Sequence, residues 1–388
     1  MFTRGMLFTL TVFSFVFALP RKTIAQAPSG TEDLDLKQIE EQRNDAYAAQ
    51  LETWFRDYLV DQYPERAAGL WQRDYSSIDA YLNSVEPNRA RWRDVIKPPQ
   101  LAKTGEVERA PHAPLTDLKA QWLKIPLGGL AAEGVFVVPD DAKHGKPVPL
   151  VIAQHGIGSF PERTFGLMDA GGAYHGFARE LVGAGFAVLA PMNLRTVERR
   201  NRIERLCRLA DTSLPGIEFV RAQHLLDEVL KDPRIDRRRV GMWGLSLGGT
   251  ATMFWTPLEP RIKAAVVAGW YNHRRNKMVL PDSRYSCFLE TKEDHAFFDG
   301  WLTSFTDSDV AALICPRPLL IQTGKQDRIA WWPMVVEEFE AAKQHYEKLG
   351  IADRIEMDLQ DCGHEAHVDS GLRFLTKWLK EQPVTDAN

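Results

Sequence analysis

The chain has 388 residues, 44% of them hydrophobic, and a formal net charge of −4 at pH 7. That length suits one large domain with an extension, or two modest domains, and the composition excludes a chain disordered throughout. The acidic balance speaks against nucleic acid as the main partner.

The first element in chain order is a leader. Arg4 supplies a short basic start, and Met6 to Leu19 is an apolar run too short to span a bilayer. Ala25-Gln26-Ala27 has the small-x-small pattern that precedes a cleavage point. Residues 1–27 are expected to act as a signal peptide cleaved after Ala27, giving a secreted or periplasmic protein; an uncleaved anchor is the alternative. Cleavage removes Arg4, Arg21 and Lys22 and no acid, moving the formal charge from −4 to −7. No later stretch is long and apolar enough to span a membrane, so no membrane association is expected after cleavage.

Residues 28–113 read as an N-terminal helical extension and linker. Residues 28–37 are polar and expected to be loose. Tyr47, Leu51, Trp54, Phe55, Tyr58 and Leu59 then recur at helix-face spacing. Ile78, Tyr81, Leu82 and Val85 do the same after a Ser76-Ser77 start signal, and Pro64, Pro87 and Pro98-Pro99 punctuate the section. Such an extension either packs on the main domain or covers its substrate. Residues 97–114 read as a polar linker.

From residue 114 the period changes. Ala120 to Ile125 and Gly134 to Val138 read as a hairpin around Leu127-Gly128-Gly129. Strands are expected at Leu150–Gln154, Phe186–Ala190, Val240–Trp243, Ala264–Ala268, Pro318–Thr323 and Ile355–Leu359. Helices are expected at Tyr174–Val182, Ile217–Leu230, Pro333–Leu349 and Leu372–Leu379. Near-continuous apolar strands alternating with helices imply a mostly parallel sheet covered on both faces. Residues 270–311 break the alternation. This aromatic interval is too long for a plain connection and reads as an inserted cap.

The chemistry centres on Gly244-Leu245-Ser246-Leu247-Gly248-Gly249. A Gly-x-Ser-x-Gly between a strand and a helix is a nucleophile elbow, which holds Ser246 in a strained turn above the sheet. A serine needs an adjacent base, and functional groups gather at the carboxyl ends of parallel strands. Asp327 follows one later strand and His364 the next. His364 is then the expected base and Asp327 the acid that orients it, with His367 the competing base and Glu290 and Asp294 the alternative acids. The oxyanion is expected to meet the Leu247 N–H and the Ile157 N–H, the latter in the loop His155-Gly156-Ile157-Gly158.

Together these residues resemble the α/β-hydrolase superfamily over roughly residues 115 to 380. Asp232 to Asp236, Arg239-Val240-Gly241 and the elbow with its extra Gly249 resemble the dienelactone hydrolase and acetyl xylan esterase branch. The resemblance implies an α/β-hydrolase fold over 114–388 and a serine esterase working through an acyl-enzyme, on a small-molecule or carbohydrate ester. Dienelactone hydrolases use a cysteine where this chain has Ser246, so that activity itself is not implied. The alternatives are a prolyl-oligopeptidase-like peptidase and a catalytically silent binding protein. About a hundred helical residues cannot build the propeller such peptidases usually carry.

The remaining motifs are weaker. His364-Glu365-Ala366-His367 lacks the spacing of a zinc-binding HExxH, and Gly156-x-Gly158 lacks the third glycine of a dinucleotide fingerprint, so neither a metal nor a cofactor is expected. Trp270 and Trp331 are candidates for substrate contact, with a core role equally open. The arginines from Arg195 to Arg208 read either as a solvated helical face or, at Arg195 or a neighbour, as a reader of a substrate carboxylate such as a uronate. Cys207, Cys287, Cys315 and Cys362 allow three disulfide pairings, or stay as buried thiols. The oligomeric state is left open.

Overall fold

The computed structural model describes residues 30–142 and 146–382; the expected signal peptide lies outside them. The chain forms two compact units, one ending at Trp54 and one beginning at Phe55. The first contributes most of the helix Gly30–Arg56. That helix starts within the segment expected to be loose, because Leu34 and Leu36, two apart, set up no helical period to read.

The second unit is built on one nine-stranded sheet in the order β1-β2-β3-β5-β4-β6-β7-β8-β9. Its strands are β1 (Glu108–Pro111), β2 (Gln121–Leu127), β3 (Leu130–Val137), β4 (Val148–Gln154), β5 (Ala187–Pro191), β6 (Ile235–Leu245), β7 (Ile262–Ala268), β8 (Leu319–Gly324) and β9 (Ile355–Gln360). β1 to β3 and the β3–β5 pair are antiparallel; β5, β4 and β6 to β9 run parallel. Strand order reverses at β4, with β5 on one side and β6 on the other. The crevice beyond the carboxyl ends of β4 and β6 is therefore the expected ligand position.

Alternation along each strand builds two cores. Leu150, Ile152, Val240, Met242, Ala265 and Val267 face one side of the sheet. Val151, Ala153, Trp243, Leu245, Val266 and Ala268 face the other. Both faces are covered, which is why these strands read as continuous apolar runs.

The helix Ile78–Ile96 belongs to the first of these cores. Tyr81, Val85, Trp92 and Ile96 are fully buried, and Trp92 Nε1 donates to the Phe254 carbonyl at 3.0 Å. This helix packs rather than covers. Pro87 sits inside it instead of ending it; burial of its aromatic face offsets the lost hydrogen bond. The inserted region behaves similarly. Phe298, Trp301 and Phe305 turn inward to meet Phe254 and Trp92 in edge-on contacts.

Two further segments differ from expectation. The linker contains β1, whose four residues are all exposed and so show no alternation; Pro111 is tolerated because the strand is at the sheet edge. The helix expected from Tyr174 begins at Phe177. Asp169 instead accepts the Tyr174 and His175 amides, each at 3.0 Å, holding those residues in a turn. All four cysteines are free thiols.

Candidate active site

Ser246 has φ 60° and ψ −121°, a left-handed conformation that only a tightly braced turn keeps in a non-glycine residue. The brace is local. A Cβ at Gly244 would overlap the Gly248 backbone, and one at Gly248 would overlap the Gln154 carbonyl, so helix and strands meet with no room for side chains. The Ser246 amide donates to the Ala268 carbonyl of β7 at 2.9 Å. The helix Leu247–Trp255 is buried from Gly248 onward, leaving Ser246 and Leu247 at the surface of the crevice.

His364 and Asp327 are brought together as expected. His364 Nδ1 lies 2.7 Å from Asp327 Oδ2, with Asp327 almost fully buried. The other Asp327 oxygen accepts the Ile329 amide at 2.9 Å, so the carboxylate is fixed at both ends. The His364 ring rests on Gly269, where an added Cβ would come within 2.8 Å of Cε1. Gly269 directly follows the Ala268 carbonyl that binds the Ser246 amide. With Nδ1 engaged, Nε2 is the free nitrogen, and it is buried without a hydrogen-bond partner. An orphaned buried nitrogen of this kind is costly unless a reacting group uses it.

The competing residues have other employment. His367 is buried, with Nδ1 3.0 Å from Asp358 and Nε2 3.1 Å from Cys362 Sγ. Its amide donates to Gln322 of β8. It ties the histidine loop to the sheet. Asp294 binds Arg205, and Glu290 is exposed.

On the opposite side, the loop after β4 meets the serine directly. A Cβ at Gly156 would lie 3.1 Å from Ser246 Cβ, so the backbone reaches the elbow only because Gly156 has no side chain. Ile157 follows, and its N–H finds no acceptor among the described residues. Leu247 opens its helix, where amides lack intrahelical partners. Two residues that the sequence did not single out hold this loop. Tyr174 Oη accepts the Gly156 amide at 2.8 Å. His155 Nε2 accepts the Asn193 amide at 3.1 Å while its Nδ1 faces the Gly156 carbonyl at 2.9 Å. That pattern requires a neutral imidazole, and burial pushes the His155 pKa down to about 4. The only sequence signal for either was position: His155 directly follows β4, while Tyr174 lies in a glycine-rich turn.

Trp270 borders the nucleophile helix, its Cβ 2.9 Å from where a Gly249 side chain would start. Arg274 stacks 4.1 Å above its ring and donates to its carbonyl at 2.8 Å. Arg274 is held in turn by Asp307, both side chains fully buried. Trp331 instead joins Tyr285, Cys287 and Met334 in a small cluster beside the acid loop, with Arg284 3.9 Å over its ring. Arg195 lies at the oxyanion loop: its carbonyl accepts the Gly158 amide at 2.6 Å.

A buried lysine completes the acid side. Lys277 Nζ reaches Ser286 Oγ at 2.6 Å and the Ile329 carbonyl at 2.5 Å, joining the insert to the loop that carries Asp327. Burial, and then nearby Arg274, push its pKa down to about 7, while Asp327 pulls the other way. Among the described residues, no cluster of three or more His, Cys, Asp or Glu could hold a metal ion.

The family and the fold have known counterparts. A family model described as the Abhydrolase family matches residues 89–360. The chain belongs to that α/β-hydrolase family. It is 26% identical over 261 residues to the "Putative hydrolase YtaP" of Bacillus subtilis (strain 168), covering 64% of this chain and 84% of the relative. Among solved structures, it resembles a "putative acetyl xylan esterase" from Bacteroides fragilis at 17% identity and a TM-score of 0.60, covering 79% of this chain and 80% of that one. It also resembles a glucuronoyl esterase from Caldicellulosiruptor kristjansonii at 18% identity and a TM-score of 0.56, covering 80% and 88%. At these identities the structural likeness establishes the fold.

Proposed function

We propose that this hydrolase is an exported serine esterase that cleaves a carboxylic ester through an acyl-enzyme. The observation that carries the reading is the buried, unpartnered His364 Nε2, oriented by Asp327 and resting beside the strained Ser246 elbow. In the reaction, His364 takes the Ser246 proton as Oγ attacks the ester carbonyl. The tetrahedral oxyanion is received by the Leu247 and Ile157 amides. His364 then protonates the departing alcohol, leaving the acyl group on Ser246. Water, deprotonated by His364, releases the acid in the second half. Asp327 keeps the proton on Nδ1 and stabilises the imidazolium.

The alcohol or acyl group is read as part of a carbohydrate. Support comes from Trp270 beside the nucleophile and from the esterases among the structural neighbours, which act on xylan acetates and glucuronoyl esters by their names. Export rests on the leader at 1–27. The test is hydrolysis of p-nitrophenyl acetate and acetylated xylo-oligosaccharides beside peptidyl anilides, in wild type and Ser246→Ala. Ester turnover lost in the variant is expected. Faster cleavage of the anilides would instead make the protein a peptidase, and no turnover of any ester by the folded wild type would overturn the reading.

A further inference from the structure

The chain turns away from the oxyanion loop through Gly158 and Phe160, and two guanidinium groups gather there. Arg195 lies 5.6 Å from the centre of the Phe160 ring, and Arg163 lies 5.4 Å from it. Arg195 is docked on the loop twice. Its carbonyl accepts the Gly158 amide at 2.6 Å, and its Nη2 donates to the Gly158 carbonyl at 3.4 Å. Gly158 is two residues from Gly156, at most about 7 Å along the chain, and Gly156 packs on Ser246.

Among the described residues, neither arginine has a carboxylate partner. Arg163 Nε is buried with no hydrogen bond at all. The nearest acid in sequence, Glu162, is engaged with His112 at 2.8 Å, and Asp169 is spent on the Tyr174 and His175 amides. In the same basic run, Arg200 binds Glu218 in the interior, Arg205 binds Asp294 and Arg208 binds Glu204. Two like charges placed around one ring beside a reaction centre repel each other, and the ring and the Gly158 carbonyl supply no negative charge to offset this. A chain with net charge −4 has acids to spare for them.

We infer that Arg163 and Arg195 form an anion subsite, and that the preferred substrate is an ester carrying a carboxylate on the oxyanion side of the scissile bond. An acidic saccharide, such as an acylated oligosaccharide with an unesterified uronic acid, has that chemistry. The guanidinium forks bind the carboxylate by charge-assisted hydrogen bonds, and Phe160 keeps both groups at the mouth of the site. This inference rests on the serine esterase reading above.

The test compares matched neutral and anionic esters. Mono-p-nitrophenyl glutarate against p-nitrophenyl valerate places the charge on the acyl side. Acetylated xylo-oligosaccharides with and without a uronic acid branch place it on the alcohol side. In at least one pair the wild type is expected to favour the anionic member by about ten-fold or more in kcat/KM, through KM, and to lose that preference at high salt. Arg195→Gln and Arg163→Gln should each cost the anionic member about ten-fold more in kcat/KM than the neutral one. Arg195→Lys and Arg163→Lys should keep most of the preference, which separates a charge effect from misfolding. Equal rates on both members of both pairs in the wild type would overturn the inference, as would equal losses on neutral and anionic esters in the glutamine variants. Fluorophosphonate labelling of Ser246 in the same samples keeps the two readings distinct: labelling without anion preference rejects the subsite alone, and its absence rejects the esterase.

Discussion

The two sides of the crevice are built in different ways. On the base side, buried polar groups are tied to one another. Lys325 and Gln326 amides donate to the Gln360 and Cys362 carbonyls, His367 joins Asp358, and Lys277 fastens the insert to the acid loop. His364 Nε2 itself is left without a partner among the described residues. On the oxyanion side, the loop is held by neutral groups, Tyr174 and His155, and its charged neighbours Arg163 and Arg195 have no carboxylate partners among the described residues. The contrast separates tasks. The base side spends its polar groups on fixing one proton acceptor, whereas the oxyanion side keeps capacity for something that arrives from solution.

The sharpest way to break this contrast is to exchange the two histidines of the base side. His364→Ala should lower kcat on the order of 10⁴-fold, since the base is removed while the fold is kept. His367→Asn should leave kcat within about three-fold and lower Tm by roughly 5 °C, because it opens a buried network remote from the proton transfer. Steady-state kinetics beside calorimetry decides it; the reverse pattern would exchange their roles.

A smaller effect is expected on the other side. Tyr174→Phe removes the acceptor of the Gly156 amide and loosens the loop that presents the Ile157 N–H. We expect kcat to fall about ten-fold with KM nearly unchanged, because the donor matters most once the oxyanion forms. A change confined to KM would show that Tyr174 shapes the pocket instead.

The smallest effect is on stability. The Lys277 pKa falls from 10.5 in a free side chain to about 7 in the folded protein. Below pH 7 both states hold the proton. Between 7 and 10.5 only the unfolded chain holds it, so this group makes the folded state more stable as pH rises through that window. Thermal melts of wild type and Lys277→Met should therefore differ by an amount that shifts in favour of wild type from pH 7 toward 10. A difference that stays flat would mean that Lys277 titrates as an ordinary lysine.

The sequence made the elbow, the acid and the base legible because each depends on a local turn at a strand end. Ser246 and Asp327 follow apolar strands, His364 follows the alternating strand β9, and glycines flank the serine. Parallel strands then carry all three to one edge. What stayed hidden depends on tertiary contact. Tyr174 reads as the start of a helix until Asp169 is seen to hold its amide in a turn. Lys277 is an ordinary lysine in sequence, and only the fold surrounds it with carbonyls. The aromatic interval 270–311 reads as an inserted cap, yet its Phe298, Trp301 and Phe305 fill the core against Trp92 and Phe254, while Trp270 packs at Gly249, near the serine end of the nucleophile helix. The arginines show the reverse case. The run left open between a solvated helical face and a reader of substrate carboxylate contains Arg195, which the fold places at the oxyanion loop.

The most direct test of the account is to map the adduct formed by a fluorophosphonate, using intact-protein mass and peptide sequencing, in wild type, His364→Ala and His367→Asn. The account predicts a single adduct on Ser246, formed at similar rates in wild type and His367→Asn and orders of magnitude more slowly in His364→Ala. An adduct on any other residue, or equal rates in wild type and His364→Ala, would contradict it.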